Sequence, residues 1–171
     1  TIGWENQGDH THVLSGHPRI NRRYTLGCDP AGGAGRDNAC IQVFDIGGHE
    51  RGVDFPPEQV AEYAHDKIDP FALAQKVADL GRWFNDAFAT VESNNHGPVT
   101  LARLRDLYPS QLIYTPSSGV GQANFEDRSL MKMGFRTTSR TKPIIIGKLR
   151  TALAKDVIIH SPIFKGELDT F

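Results

Sequence analysis

The pattern of apolar and polar positions divides the chain into a polar lead-in and a patterned remainder. Residues 1–22 are polar and show no sustained hydrophobic period, so we predict a lead-in or linker there. From there on, short apolar runs alternate with turn residues, which predicts strands over 24–29, 38–45 and 50–55. Three consecutive strands with short connections predict an antiparallel meander.

The later part of the chain alternates helical and strand patterns. Asp69 and Pro70 supply an N-cap and a first-turn proline, and apolar residues then recur at helical spacing to about residue 85. The segment 116–138 is glycine-rich and polar, and we interpret it as an extended hairpin or a mobile loop. The other predicted elements are a strand at 88–92, a helix at 98–107, a strand at 112–115, a helix at 143–154, a strand at 157–160 and a last helix capped by Ser161 and Pro162. Together these patterns predict an α/β fold, with a mixed β-sheet of antiparallel meander plus parallel strands, flanked by helices.

Composition narrows the class of protein. A chain of 171 residues with 39% hydrophobic content supports one self-sufficient core, so we predict a single domain over 23–171. No apolar run approaches the roughly 20 residues that span a bilayer, and no signal-peptide layout is present, so we expect a soluble intracellular protein with no membrane contact. Cys28 and Cys40 are too few for a disulfide scaffold and are expected to be buried free thiols.

Basic residues are unevenly distributed, although the formal net charge is only −1. The stretch 128–150 has seven basic residues and no acidic one, while the rest of the chain is acidic. This distribution indicates a local contact with a polyanion, but a solvated helix face explains the same charges equally well. The seven residues are Arg128, Lys132, Arg136, Arg140, Lys142, Lys148 and Arg150.

Two acids stand at the ends of predicted strands. Asp29 precedes the glycine-rich turn, and Glu92 precedes the loop after its strand. If the two strands are neighbours, the carboxylates offer hard oxygen ligands to one Mg²⁺ or Mn²⁺ ion, which can activate water for phosphodiester hydrolysis. Capping is the commoner role for either acid alone, but the pair in this strand order favours metal ligation.

The glycine-rich turn Gly32-Gly33-Ala34-Gly35 raises the alternative of a nucleotide-binding loop. No Gly-Lys-Ser/Thr follows the turn, and the next element is a predicted strand, so no helix N-terminus faces the loop. An actin-like or sugar-kinase fold needs a second phosphate loop and a longer chain. We therefore rank nucleotide binding below nuclease chemistry.

Four motifs in order resemble the nuclease domain of tailed-bacteriophage terminase large subunits. Residues 24–37 resemble the first catalytic strand and loop of that family, and residues 91–97 resemble its second acidic motif. Residues 134–142 resemble the segment that opens the late helix, and residues 167–171 match a Glu-Leu-x-x-Phe element. The resemblance covers nearly everything from Arg23 onward.

The resemblance implies a ribonuclease-H-like fold and two-metal endonuclease chemistry, with Mg²⁺ or Mn²⁺, on double-stranded viral DNA. It also implies a packaging ATPase domain in the same parent chain, docking with a portal and a small terminase subunit, and work in the host cell cytoplasm as a phage or prophage protein. On the matching positions, Asp29 and Glu92 become metal ligands and Asp37 an auxiliary catalytic acid or a solvated turn acid. The residues expected to contact DNA phosphates are Arg128, Lys132, Arg136, Arg140 and Lys142, the last two foremost.

One departure from the family concerns the third catalytic carboxylate, an Asp that the resemblance places after Phe171. We therefore interpret the chain as a C-terminally incomplete piece of a longer polypeptide, and we expect it alone to bind metal weakly and to cut poorly. Two alternatives stay open. One is a junction resolvase-type nuclease of the same fold, and the other is a non-catalytic module that binds DNA or a packaging partner.

Overall fold

A six-stranded mixed β-sheet forms the centre of the fold in the computed structural model, which describes residues 4–5, 10–31, 38–50, 52–116 and 133–168. The strands of this sheet are β1 (Trp4–Glu5), β2 (Thr11–Val13), β3 (Tyr24–Asp29), β4 (Ala39–Asp45), β7 (Glu58–His65) and β8 (Phe88–Val91), whereas β5 (Gly48–Glu50) and β6 (Val53–Phe55) form a separate hairpin. Their spatial order is β1-β2-β7-β4-β3-β8. All neighbours are antiparallel except β3 and β8, which run parallel.

In the described part of the chain, four α-helices flank the sheet: α1 (Pro70–Trp83), α2 (Gly97–Leu107), α3 (Lys142–Leu153) and α4 (Pro162–Leu168). The predicted cap of α1 is confirmed, because the Asp69 side chain accepts hydrogen bonds from the backbone N–H groups of Phe71 and Ala72. The Ser161 hydroxyl similarly accepts from the Phe164 N–H at the start of α4. Within the described residues, no helix is long and apolar enough to cross a membrane.

The hydrophobic core lies between one face of the sheet and the helices α1 and α2. Strand β4 alternates buried and half-buried side chains along its whole length, the pattern of a strand with one face in a core. The largest fully buried side chains include Leu26, Ile41, Leu73, Phe84 and Leu104. The opposite face is covered more loosely, since α3 and α4 contain no fully buried residue, and an apolar gap of about 320 Å³ remains beneath them.

The predicted third strand of the meander is wrong. The described residues there, β5 and β6, form their own hairpin outside the main sheet, and β7 pairs with β4 instead. The sequence of β7 is rich in Glu, Gln and Ala, which are weak strand formers. Its polar side chains find partners only in the folded chain: Gln59 Nε2 donates to Gln42 Oε1 (2.7 Å), and Gln59 Oε1 accepts from the Ser161 N–H (2.9 Å).

Three other predictions need correction or restriction. The strands predicted at 112–115 and 157–160 are single bridges, from Ile113 to Ala89 and from Ile158 to Glu58. The polar segment 1–22, in which no strand was predicted, contributes β1 and β2. Of the predicted hairpin or loop at 116–138, residues 117–132 lie outside the described residues.

Candidate active site

The parallel pairing of β3 and β8 brings Asp29 and Glu92 to neighbouring strand ends. Cys28 is aligned with Val91, and the Glu92 N–H donates to the Cys28 carbonyl oxygen (2.8 Å), so each acid directly follows the last residue that pairs β3 with β8. Cys28 and Val91 are buried in the core. Because successive side chains alternate between the faces of a sheet, Asp29 and Glu92 project from the opposite face. The structure thus unites the two acids that the sequence singled out.

The Glu92 side chain is held by Asn94. The Asn94 amide donates from Nδ2 to Glu92 Oε1 (2.9 Å) and to the backbone carbonyl oxygen of Thr137 (2.8 Å). The N-terminus of α2 also packs against this backbone, since a Cβ at Gly97 would collide with the Glu92 carbonyl oxygen. Glu92 is therefore fixed in orientation, while Asp29 is exposed.

The chain after residue 133 runs along the outer edge of β8. The Phe135 N–H donates to the Val91 carbonyl oxygen (2.8 Å), and the Ser93 N–H donates to the Phe135 carbonyl oxygen (2.8 Å). A threonine turn follows, in which the Thr141 hydroxyl donates to the Arg136 carbonyl oxygen (3.0 Å). This turn leads directly into α3.

Three of the predicted DNA contacts lie on this segment, which begins beside Glu92 with the bridge from Phe135. Arg136, Arg140 and Lys142 are all exposed there. The other predicted site residues, Asp37, Arg128 and Lys132, lie outside the described residues.

Both cysteines are free, as predicted, and lie next to the acidic pair. Cys40 is aligned with Asp29 in the ladder between β4 and β3. Burial, followed by the negative charge of Asp29, raises the pKa of the Cys40 thiol to about 11. Burial raises the pKa of the Cys28 thiol well above its ordinary value. Both groups are consequently neutral thiols near pH 7, although Cys40 is only half-buried.

The two carboxylates suit a hard divalent cation. Mg²⁺ is typically held by one or two carboxylates together with waters and substrate phosphates, and Asp29 and Glu92 provide such a pair at one edge of the sheet. Within the described ranges, no group of three His, Cys, Asp or Glu residues is close enough to hold a metal. The arrangement fits a cation whose remaining positions are open to phosphate and water.

A groove of about 750 Å³ begins beside Glu92 and lies between α2 and residues 133–138. Nothing in the sequence singles out its residue Arg105, which has the pattern of one more charge on an exposed helix face. Only the folded chain shows that Arg105 and Arg136 line the same groove. The lining residues are Ser93, Asn94, Asn95, Pro98, Leu101, Ala102, Arg105, Met133, Arg136, Thr137 and Thr138.

Known proteins include a family that matches most of this chain. A family model described as the terminase RNaseH-like domain matches residues 26–147. No match was found among curated proteins.

Crystal structures of the large terminase nuclease from thermophilic phage G20c share the fold. One of them has a TM-score of 0.57 at 14% sequence identity, with 94% of this chain and 70% of that chain covered. The structure with bound magnesium gives 0.59 at 15% identity, covering 93% and 68%, and the structure with bound zinc gives 0.63 at 16%, covering 99% and 81%. The predicted ribonuclease-H-like fold is confirmed.

Proposed function

The chain belongs to the family of terminase RNase H-like domains, and from this premise we propose that it is a metal-dependent endonuclease that cleaves double-stranded viral DNA during genome packaging. The observation that carries the proposal is the placement of Asp29 and Glu92 at adjacent ends of the parallel strands β3 and β8. Two carboxylates fixed by a sheet register are a suitable basis for phosphodiester hydrolysis.

Asp29 and Glu92 are the proposed metal ligands. Their hard oxygen atoms favour Mg²⁺ or Mn²⁺, and crystal structures of the phage G20c nuclease with bound magnesium, zinc and cobalt support the use of a divalent ion by this chain. When bound, such an ion supplies Lewis acidity and lowers the pKa of water for hydrolysis. A two-metal site in the complete domain is part of the proposal, and it requires further oxygen ligands beside these two.

Other residues of the chain orient Glu92 and bind the DNA backbone. Asn94 holds the Glu92 carboxylate in one orientation through its 2.9 Å hydrogen bond. Arg136, Arg140 and Lys142 lie exposed on the segment next to β8, where they can bind the DNA backbone. Such phosphate contacts position the duplex without reading its sequence.

The wider setting of this activity is also a proposal. We place the domain in a parent chain with a packaging ATPase, acting with a portal and a small terminase subunit in the cytoplasm of the host cell. Membership of the terminase family supports this setting. The match covers this one domain.

Nicking of supercoiled plasmid in the presence of Mn²⁺ tests the proposed catalytic pair. Loss of a side chain that only hydrogen-bonds a metal ligand typically lowers activity by roughly 10- to 100-fold. We expect Asp29→Asn and Glu92→Gln to reduce the nicking rate by more than this, because each change removes a ligand itself. Asp106→Asn is the matched control, since this exposed acid stands at the end of α2 and only approaches Arg103, at 4.0 Å.

The level of nicking activity distinguishes a weak nuclease from a non-catalytic binding module. Weak but measurable nicking by the unaltered chain, lost in both variants and kept in the control, supports the proposed site. If Asp29→Asn and Glu92→Gln nick plasmid as fast as the unaltered chain, the assignment of the site is wrong. If the unaltered chain binds DNA but never nicks it at any Mn²⁺ concentration, a non-catalytic binding module is the better description.

A further inference from the structure

The groove beside Glu92 has the size and lining of a ligand site rather than of a packing defect. Its volume of about 750 Å³ falls within the roughly 300–1,000 Å³ typical of small-molecule sites. Ser93 and Asn94 form its end nearest the catalytic pair, and Asn94 also bonds Glu92. A molecule in the groove would therefore extend directly to the proposed cleavage site.

The charged side chains of the groove are both cationic. Arg105 comes from α2 and Arg136 from the segment along β8. Among the described residues, the lining contains no Asp or Glu, and neither arginine has an ion-pair partner. Two guanidinium groups in a groove whose described lining has no acid favour an anionic ligand, and guanidinium suits phosphate in particular.

The remaining lining is apolar. Pro98, Leu101, Ala102 and Met133 contribute to it, and Leu101 belongs to the buried core. A DNA duplex keeps its base faces stacked inside and presents phosphates and base edges to a protein, so it has little to place on such a surface. An unpaired strand exposes base faces as well as phosphates.

We propose that this groove binds an unpaired DNA strand next to the scissile phosphate, with phosphates held by Arg105 and Arg136 and a base packed on the apolar surface between them. The inference rests on the proposed function for the choice of DNA as substrate. It adds a single-stranded subsite and the residue Arg105, which belongs to neither the acidic pair nor the basic segment 136–142.

Fluorescence anisotropy of the full 171-residue chain in EDTA tests the groove without any catalysis. The probes are a fluorescein-labelled oligothymidylate and a blunt duplex of the same length. We expect Arg105→Ala, which removes a charged contact, and Ala102→Trp, which fills the groove, each to raise the Kd for the single strand about tenfold. The Kd for the duplex should change little in both variants. Arg103→Ala is the control, because Arg103 is on the same helix but does not line the groove.

Each outcome either supports or overturns the inference. Single-strand binding that is unaffected by both variants, or duplex binding that falls equally, overturns it. Equal displacement of the oligothymidylate by a polyglutamate peptide also overturns it, in favour of an acidic protein partner. Plasmid nicking by the unaltered chain is scored separately, so a failed subsite and a failed nuclease assignment are distinguishable.

Discussion

The side-chain amide of Asn94 links two segments that are distant from each other in sequence. It bonds Glu92, two residues away, and the carbonyl of Thr137, 43 residues away. A carboxylate that is hydrogen-bonded in one orientation loses less freedom when a cation arrives. We therefore expect Asn94 to be a positioning residue, which acts on the proposed metal through Glu92.

Replacing Asn94 should weaken metal binding without unfolding the chain. We expect Asn94→Ala to lower Mn²⁺ affinity by roughly 10- to 100-fold, the usual cost of losing a partner of a metal ligand. Isothermal titration calorimetry measures this affinity directly, and a melting curve checks the fold. Asn95→Gly is the control, since Asn95 is exposed and has a positive φ of 48° that glycine adopts without strain. Unchanged Mn²⁺ affinity in Asn94→Ala would refute the positioning role.

Helices and strands are predicted best from the sequence where the signals that define them are local. The helix α1 was predicted because its cap, its first-turn proline and its apolar spacing all lie within one short stretch. The strand β7 was missed because its stabilising contacts are distant. Its residue Gln59 is bonded across 102 residues to Ser161. Local propensity carries no information about such partners.

The candidate site also contains features that local sequence predicts and features that depend on distant contacts. The sequence alone identifies Asp29 and Glu92 as candidates, because each acid directly follows an apolar run. Their common face depends on the register of β3 against β8, in which Cys28 meets Val91. The pairing of Asn94 with Thr137, and the shared groove of Arg105 and Arg136, arise only when the late segment lies along β8.

The attachment of that late segment depends on Gly134, which has a φ of +87°. A Cβ there would lie 2.7 Å from the Val91 carbonyl oxygen and 2.5 Å from Leu101 Cδ1. We expect Gly134→Ala to lower the free energy of unfolding by about 1–3 kcal/mol more than Gly16→Ala does, because overpacking adds to backbone strain. Urea denaturation measures the difference. Gly16 is a matched control, because its φ is +88° and a Cβ there would have no other atom within 4 Å.

Equal losses of stability in these two variants would show that Gly134 matters only for its backbone conformation. A larger loss in Gly134→Ala would instead support close packing between the late segment, β8 and α2. In that case we also expect weaker DNA binding, since Arg136 follows two residues later.

A buried ion pair connects the polar start of the chain to the sheet. Arg22 Nε donates to Asp45 Oδ2 at 2.7 Å, and both side chains are almost fully buried. The Arg22 guanidinium also lies 4.5 Å from the centre of the Phe55 ring. Asn85 Nδ2 donates to the backbone carbonyl oxygens of Arg19 and Arg22. The residues just before β3 are thus part of the folded unit.

Two truncated chains test this integration. A chain of residues 14–171 loses β1 and β2 but keeps Arg22, whereas a chain of residues 23–171 leaves Asp45 buried without its partner. We expect the second chain to be less stable than the first by at least about 3–5 kcal/mol, the cost of breaking a buried pair from one side, because it also loses the hydrogen bonds from Asn85. Urea unfolding of both chains gives the difference, and identical midpoints would contradict the expectation.

The bridges from Ile113 to Ala89 and from Phe135 to Glu92 have a consequence for self-association. An open strand edge offers unpaired N–H and C=O groups to other molecules and invites aggregation. Here the Tyr114 N–H occupies the Ala89 carbonyl oxygen and the Phe135 N–H occupies that of Val91, so the edge next to Glu92 is closed to strand addition from a second copy. The end of the sheet that holds Asp29 and Glu92 is therefore protected at Ala89 and Val91 from this route of self-association.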